Sequence, residues 1–95
     1  MEADRFEWDP RKADANLRKH KVSFQEGATV FEDPDVLLEA DVLHSGDEVR
    51  ISATGFSAGS RVLLVVSTER GERMRLISAR RATLAERRKY ESQFE

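Results

Sequence analysis

The sequence predicts an α+β fold: an antiparallel meander sheet with two helices before it and one after. Three observations carry that expectation. Apolar residues recur at helical spacing in the first third of the chain and alternate from about residue 36 onward. The strand-like runs are joined by short turn sequences, SAGS and ERGE, which suit hairpins and are too short for crossovers. A capped helical segment follows the last strand. With 95 residues, the expectation is a single domain over 1–95 with one modest core.

RFEW (5–8) reads as a short first strand. Asp9-Pro10 then opens a helix, because Asp is a favoured N-cap and proline at the first helical position loses no needed donor. Ala13 and Leu17 follow on its thin apolar face. Ser23 and Glu26 have capping-box spacing and start a second helix, with Phe24, Ala28 and Phe31 on the buried side and Pro34 as its stop. VLLEAD begins the sheet, and in VRISATGF residues Val49, Ile51 and Ala53 alternate with polar neighbours. VLLVVST (62–68) is apolar on both faces, which places it centrally. In RMRLISA (73–79) Met74 and Leu76 face inward, and Arg73 and Arg75 face outward. Thr83 and Glu86 form a second capping box, starting a helix that runs to about Phe94.

Composition narrows the function classes. There is no cysteine, so disulfides, thiolate metal sites and a cysteine nucleophile are excluded. The longest apolar run, VLLVV, is far too short to span a bilayer, and the first ten residues lack the apolar run of a signal peptide. A cytoplasmic protein without membrane contact is expected. The net charge of −2 hides an asymmetry: residues 1–48 carry −7 and residues 49–95 carry +5. That fits either charges coating both halves or a basic surface, suited to phosphates, built by the second half.

The stretch MRLISARRATLAERRKYE (74–91) concentrates this charge where a strand runs into a helix. Arginine at such a rim holds phosphate oxygens bidentately. Equally, Arg80 and Arg81 could pair with carboxylates of the first half. Simple alternation puts Arg73, Arg75 and Arg81 on one face and Arg80 on the other. Lys19 and His20 end the first helix, where its dipole favours cations, and histidine also moves protons near neutral pH. His44, Glu48 and Arg50 form a polar group in the next loop and strand, readable as a site or as an ordinary cross-pair. Glu69 is either a general base or a partner offsetting the arginines. Phe6 and Trp8 are core residues or a stacking surface for a base. Two histidines 24 positions apart do not resemble a metal site.

Three segments taken together, FEWDPRKADANLRKHKVSFQEGATVFEDP, HSGDEVRIS and VLLVVSTERGERMRLISARRATLAERRKYE, resemble the BrnT family of toxins from bacterial type II toxin–antitoxin pairs. The resemblance implies a RelE-like fold and an endoribonuclease that blocks translation. It also implies neutralisation by a BrnA-like ribbon-helix-helix antitoxin in a 2:2 assembly that touches operator DNA only through the antitoxin. RNA cleavage by the 2′-hydroxyl needs no metal or other cofactor. On that basis Arg80 and Arg50 stabilise the transition state, Lys19, His20 or Glu69 transfer protons, and Arg73, Arg75, Arg81, Arg87 and Arg88 position the RNA backbone. The alternative is a non-catalytic co-repressor whose arginines grip the antitoxin. Two positions depart from the family pattern. Lys21 stands where glycine is usual, and lysine costs about 1 kcal/mol there if the position needs a positive φ. Ser67 stands where tyrosine is frequent, so any stacking by that tyrosine is missing.

Overall fold

A computed structural model describes residues 5–41 and 48–95. The elements run β1 (Phe6–Glu7), α1 (Pro10–His20), α2 (Phe24–Thr29), β2 (Leu37–Asp41), β3 (Arg50–Phe56), β4 (Val62–Arg70), β5 (Arg73–Arg81) and α3 (Leu84–Glu91). Short 3₁₀ turns extend α2 over Val30–Glu32 and α3 over Ser92–Phe94. The five strands lie in the order β1-β5-β4-β3-β2. From β2 to β5 the sheet is the expected antiparallel meander, with β4 in the centre. The edge corrects the expectation, because β1 pairs parallel to β5, Phe6 opposite Met74, and the sheet is mixed.

The inner face of the sheet presents Ala53, Leu63, Val65, Leu76 and Ala79, each at most 1% exposed. Val22, Phe24, Ala28 and Val30 close the core from above. Gly27 brings α2 close to the sheet, since a Cβ there would stand 3.0 Å from the Cβ of Ala79. Trp8 packs edge-on against Phe24, and Phe6 against Phe31, at 5.9 and 5.4 Å between ring centres. Both rings are partly buried at the rim of the core.

Helix α1 turns a polar residue inward. Leu17, expected on its apolar face, is 47% exposed, whereas Asn16 is buried. The Asn16 amide donates to Ala79 O at 2.8 Å and to Val22 O at 2.9 Å, and its Oδ1 accepts from Ala79 N at 3.1 Å. Because β1 pairs only with Met74 and Arg75, β5 has an open edge beyond them, and Asn16 supplies there what a neighbouring strand would supply. Asp9 caps α1 by accepting from Arg11 N, with Pro10 at the first position. Lys21 ends it at φ 60°, ψ 30°. The glycine-type position is therefore occupied by a lysine in the left-handed region.

The two capping boxes differ. Thr83 and Glu86 make both reciprocal bonds. Ser23 Oγ accepts from Glu26 N, but the Glu26 carboxylate is turned to Arg61 Nε at 3.0 Å and to Ser57 Oγ at 2.7 Å. That arrangement ties α2 to the β3–β4 turn instead of closing the box, and the Arg61 bonds are the main reason the Glu26 pKa is lowered. Helix α3 lies on the outer face of the sheet, anchored by Tyr90 donating to Asp33 Oδ2.

Asn16→Ala leaves two buried carbonyls and one buried N–H unsatisfied and should cost about 2–4 kcal/mol in urea unfolding. Lys21→Gly should raise stability by about 0.5–1 kcal/mol, moving Tm up by about 3–6 °C. An unchanged Tm would mean that Lys21 carries no strain.

Candidate functional site

One extra residue in β5 decides which arginines share a surface. Ser67 of β4 opposes Leu76, while Val66 opposes Ser78, so Ile77 has no partner and forms a β-bulge. Such an insertion re-aims every later side chain. Before the bulge, Arg73 and Arg75 lie opposite Arg70 and Thr68 on the outer face. After it, Arg80 lies opposite Leu64 on the same outer face, and Arg81 lies opposite Leu63 on the inner one. This corrects the alternation expected from sequence, which grouped Arg81 with Arg73 and Arg75 and put Arg80 across from them.

The outer face has two halves. Over one, α3 places Ala85, Glu86 and Lys89 above Leu37, Thr54 and Leu64, and Lys89 pairs with Glu39. Among the described residues no helix covers the other half. Across it Arg50, Thr68, Arg75 and Glu7 stand in one row on β3, β4, β5 and β1. Arg70 and Arg73 face each other in the next row. Arg75 Nη1 donates to Glu7 Oε2 at 3.0 Å, and Arg70 approaches Glu48 at 3.7 Å. Thr68 is only 2% exposed although it points outward, and its hydroxyl donates to Val49 O at 2.9 Å. With two interstrand spacings between them, the Cα atoms of Arg50 and Arg75 are about 10 Å apart. Two long side chains can close on one tetrahedral anion from that separation.

Arg80 is differently engaged. Its Nη1 and Nη2 donate to the two carboxylate oxygens of Glu86 at 2.8 and 2.9 Å, and Nη1 also donates to Arg81 O at 3.2 Å. Glu86 Oε1 in turn accepts from Thr83 N. This fork-to-fork pair fastens the end of β5 to the first turn of α3. It lowers the Glu86 pKa to about 2, the Arg80 hydrogen bond being the largest cause, opposed by burial and aided by Thr83. Arg80 thus has a carboxylate partner, but from the last helix and not from the N-terminal half.

The remaining expected site residues scatter. Glu69 is exposed on the inner side of the sheet, beside Met74 and Ile51. Lys19 and His20 end α1, which flanks the open edge of β5 on the core side. The five residues expected to be catalytic therefore divide, with Arg50 and Arg80 on the outer face and Glu69, Lys19 and His20 away from it. Arg87 and Arg88 are exposed on α3, Arg87 pairing with Glu91 at 3.0 Å. His44 lies outside the described residues. Ser67 is fully buried on the inner face, so the larger side chain frequent at that position would not reach the arginine row from here. Among the described residues no three His, Asp or Glu side chains group as metal ligands. Sequence reasoning missed the roles of Glu7, Thr68 and Asn16. Glu7 and Thr68 acquire their neighbours only through strand pairing.

The model of the family described as ribonuclease toxin BrnT of type II toxin–antitoxin systems matches residues 8–86. The fold is similar to the crystal structure of the Brucella abortus ribonuclease toxin BrnT, with a TM-score of 0.63 and 22% identity over 80% of this chain and 92% of that one. No curated protein matches the chain.

Arg80→Ala should lower stability by about 1–2 kcal/mol, for a bidentate but partly solvated pair. The linkage has a definite sign. With the Glu86 pKa depressed from 4.5 to about 2, its contribution is complete above pH 4.5 and is lost as pH falls toward about 2. Across that window the stability difference between wild type and Glu86→Gln should shrink. A difference independent of pH would show that the Arg80–Glu86 pair does not hold the helix.

Proposed function

The chain belongs to the BrnT family of ribonuclease toxins of type II toxin–antitoxin systems, and from that premise we propose that it is an endoribonuclease whose active surface is the arginine-lined half of the outer sheet face. The observation that carries this reading is the row Arg50–Thr68–Arg75–Glu7. The RNA 2′-hydroxyl attacks the adjacent phosphorus, the P–O5′ bond breaks with the 5′-oxygen taking a proton from solvent, and a 2′,3′-cyclic phosphate and a 5′-hydroxyl result. The extra negative charge of the transition state meets the guanidinium groups of Arg50 and Arg75. Glu7 already orients Arg75 and is the carboxylate placed to take the 2′-proton. Arg70 and Arg73 hold the flanking backbone.

This assignment keeps Arg50 and passes the second charge-stabilising role from Arg80 to Arg75. Arg80 stays bound to Glu86. Lys19, His20 and Glu69 would have to reach across the sheet to serve as acid or base here. The chemistry relies on cations of the protein, as expected of a RelE-like ribonuclease, and proceeds without a metal. In the cell, a BrnA-like ribbon-helix-helix antitoxin covers the toxin in a 2:2 assembly and carries it to operator DNA.

One observation favours a second reading. Arg61, Arg70, Arg75, Arg80 and Arg87 are each paired with a carboxylate. A non-catalytic co-repressor would use the same chemistry to hold acidic antitoxin side chains.

The two readings separate in one assay: cleavage of a defined RNA by antitoxin-free protein in EDTA. Arg50→Ala and Arg75→Ala should each slow cleavage by roughly 10²–10³. Arg80→Ala, once shown to be folded, should lose tenfold or less. Absence of both cleavage and growth arrest on expression without antitoxin would sink the ribonuclease reading in favour of the co-repressor.

A further inference from the structure

A second basic feature lies where β5 runs into α3. Leu63, opposite Arg81, is five residues from Thr68 along β4, or about 17 Å from the arginine row. Here a cleft of about 310 Å³ opens between the β3–β4 turn and the start of α3, lined by Phe56, Ser60, Arg61, Val62, Arg81 and Arg87 among others. We propose that this cleft is a subsite for one nucleotide of single-stranded RNA, with the base against Phe56 and the phosphate on Arg81 and Arg87. The proposal rests on the ribonuclease reading and gives it a second point of attachment.

Phe56 is 48% exposed at the end of a strand, and its backbone N–H is fixed by Asp33 Oδ2 at 2.8 Å. It is a rigidly mounted aromatic surface with solvent access. The bulge turns Arg81 inward at this end of the sheet, where among the described residues it makes no direct ion pair and acts on Glu26, already bonded to Arg61, only through space. Among the described residues Arg87 is paired with Glu91, at 56% and 49% exposure, so an incoming phosphate displaces that partner at little cost. Arg61 is held by Glu26 and by Lys21 O, and forms a fixed wall. Beyond Phe56 lies a separate hollow bordered by Glu32 and Asp33. An anionic ligand therefore approaches the ring from the arginine side.

The volume argues for a nucleotide over a protein segment. It sits at the small end of the range for ligand sites, and a stable protein interface needs a far larger patch. An exposed ring beside cations is the combination that binds single strands with little sequence preference.

The test is fluorescence anisotropy with a short labelled 2′-O-methyl oligoribonucleotide, which binds but cannot be cut. Phe56→Ala should weaken binding about tenfold with an unchanged salt slope, and Phe56→Trp should restore it. Arg81→Gln should reduce the slope of log K against log salt by about 0.7. If Phe56→Ala and Arg81→Gln bind like wild type while Arg50→Ala binds more weakly, the subsite is wrong and the outer-face reading stands. If Phe56→Ala keeps its oligonucleotide but loses co-expressed antitoxin, the cleft is a protein-docking site and the proposal falls. If wild type binds no oligonucleotide, the ribonuclease reading fails and takes the subsite with it.

Discussion

The side-chain amide of Asn16 takes both backbone groups of Ala79, and most of the molecule is positioned by that grip. β1 is too short to cover β5 along its length, so without Asn16 the strand would bury an unpaired edge. The same contact lies two residues beyond the unpaired Ile77. It fixes the strand immediately after the bulge, where a slip of one residue would exchange the faces of Arg80 and Arg81. With the strand held, Arg80 points outward to meet Glu86 and starts α3 over one half of the outer face. Arg81 points inward to the cleft beside Phe56. A polar contact on the core side thus helps hold the register in which the bulge sets the faces of Arg80 and Arg81.

The acidic net charge is compatible with basic surfaces because the carboxylates are distributed among the arginines. Glu7, Glu26, Glu39, Glu48, Glu86 and Glu91 each meet a cation. Half of these pairs, Arg70–Glu48, Arg87–Glu91 and Lys89–Glu39, are exposed and contribute little to stability. The larger effect of the pairs together is to limit repulsion among the arginines and to hold each paired guanidinium in a fixed direction.

Much of the fold was legible because its signals are local. Asp9-Pro10, Ser23 and Thr83 announce their helices, the two-sided apolar run of β4 announces the middle of the sheet, and the alternation of Met74 and Leu76 gives the inner face. What escaped reading depends on distant partners. Two residues of β1 carry no mark of the strand they will join. The bulge is chemically silent, since Ile77 and Ser78 are both acceptable on either face. Asn16 reads as a surface residue until the open backbone of Ala79 is known, 63 positions away. Glu26 has the spacing of a capping box, and Arg61, 35 positions on, takes its carboxylate. Of the candidate site, the residue types were legible and the grouping was not, because strand register alone brings Arg50, Thr68, Arg75 and Glu7 into one row.

The arginines can be ranked by what a phosphate must displace. To take Arg80 it must break two charge-assisted bonds and leave Glu86, whose pKa of about 2 records how strongly its charge is held, with only the helix N-terminus as partner. To take Arg75 it competes with a single bond to Glu7, a carboxylate that remains partly solvated at 28% exposure. To take Arg73 or Arg88 it breaks no ion pair among the described residues, and to take Arg81 it competes only with the through-space attraction of Glu26. On the proposed ribonuclease reading, a phosphate meets the arginines without a bonded carboxylate first and Arg75 next, leaving the joint between β5 and α3 intact. The most conspicuous arginine pair in the sequence, Arg80-Arg81, is divided by one bulge into a residue that holds the fold and a residue available to a ligand.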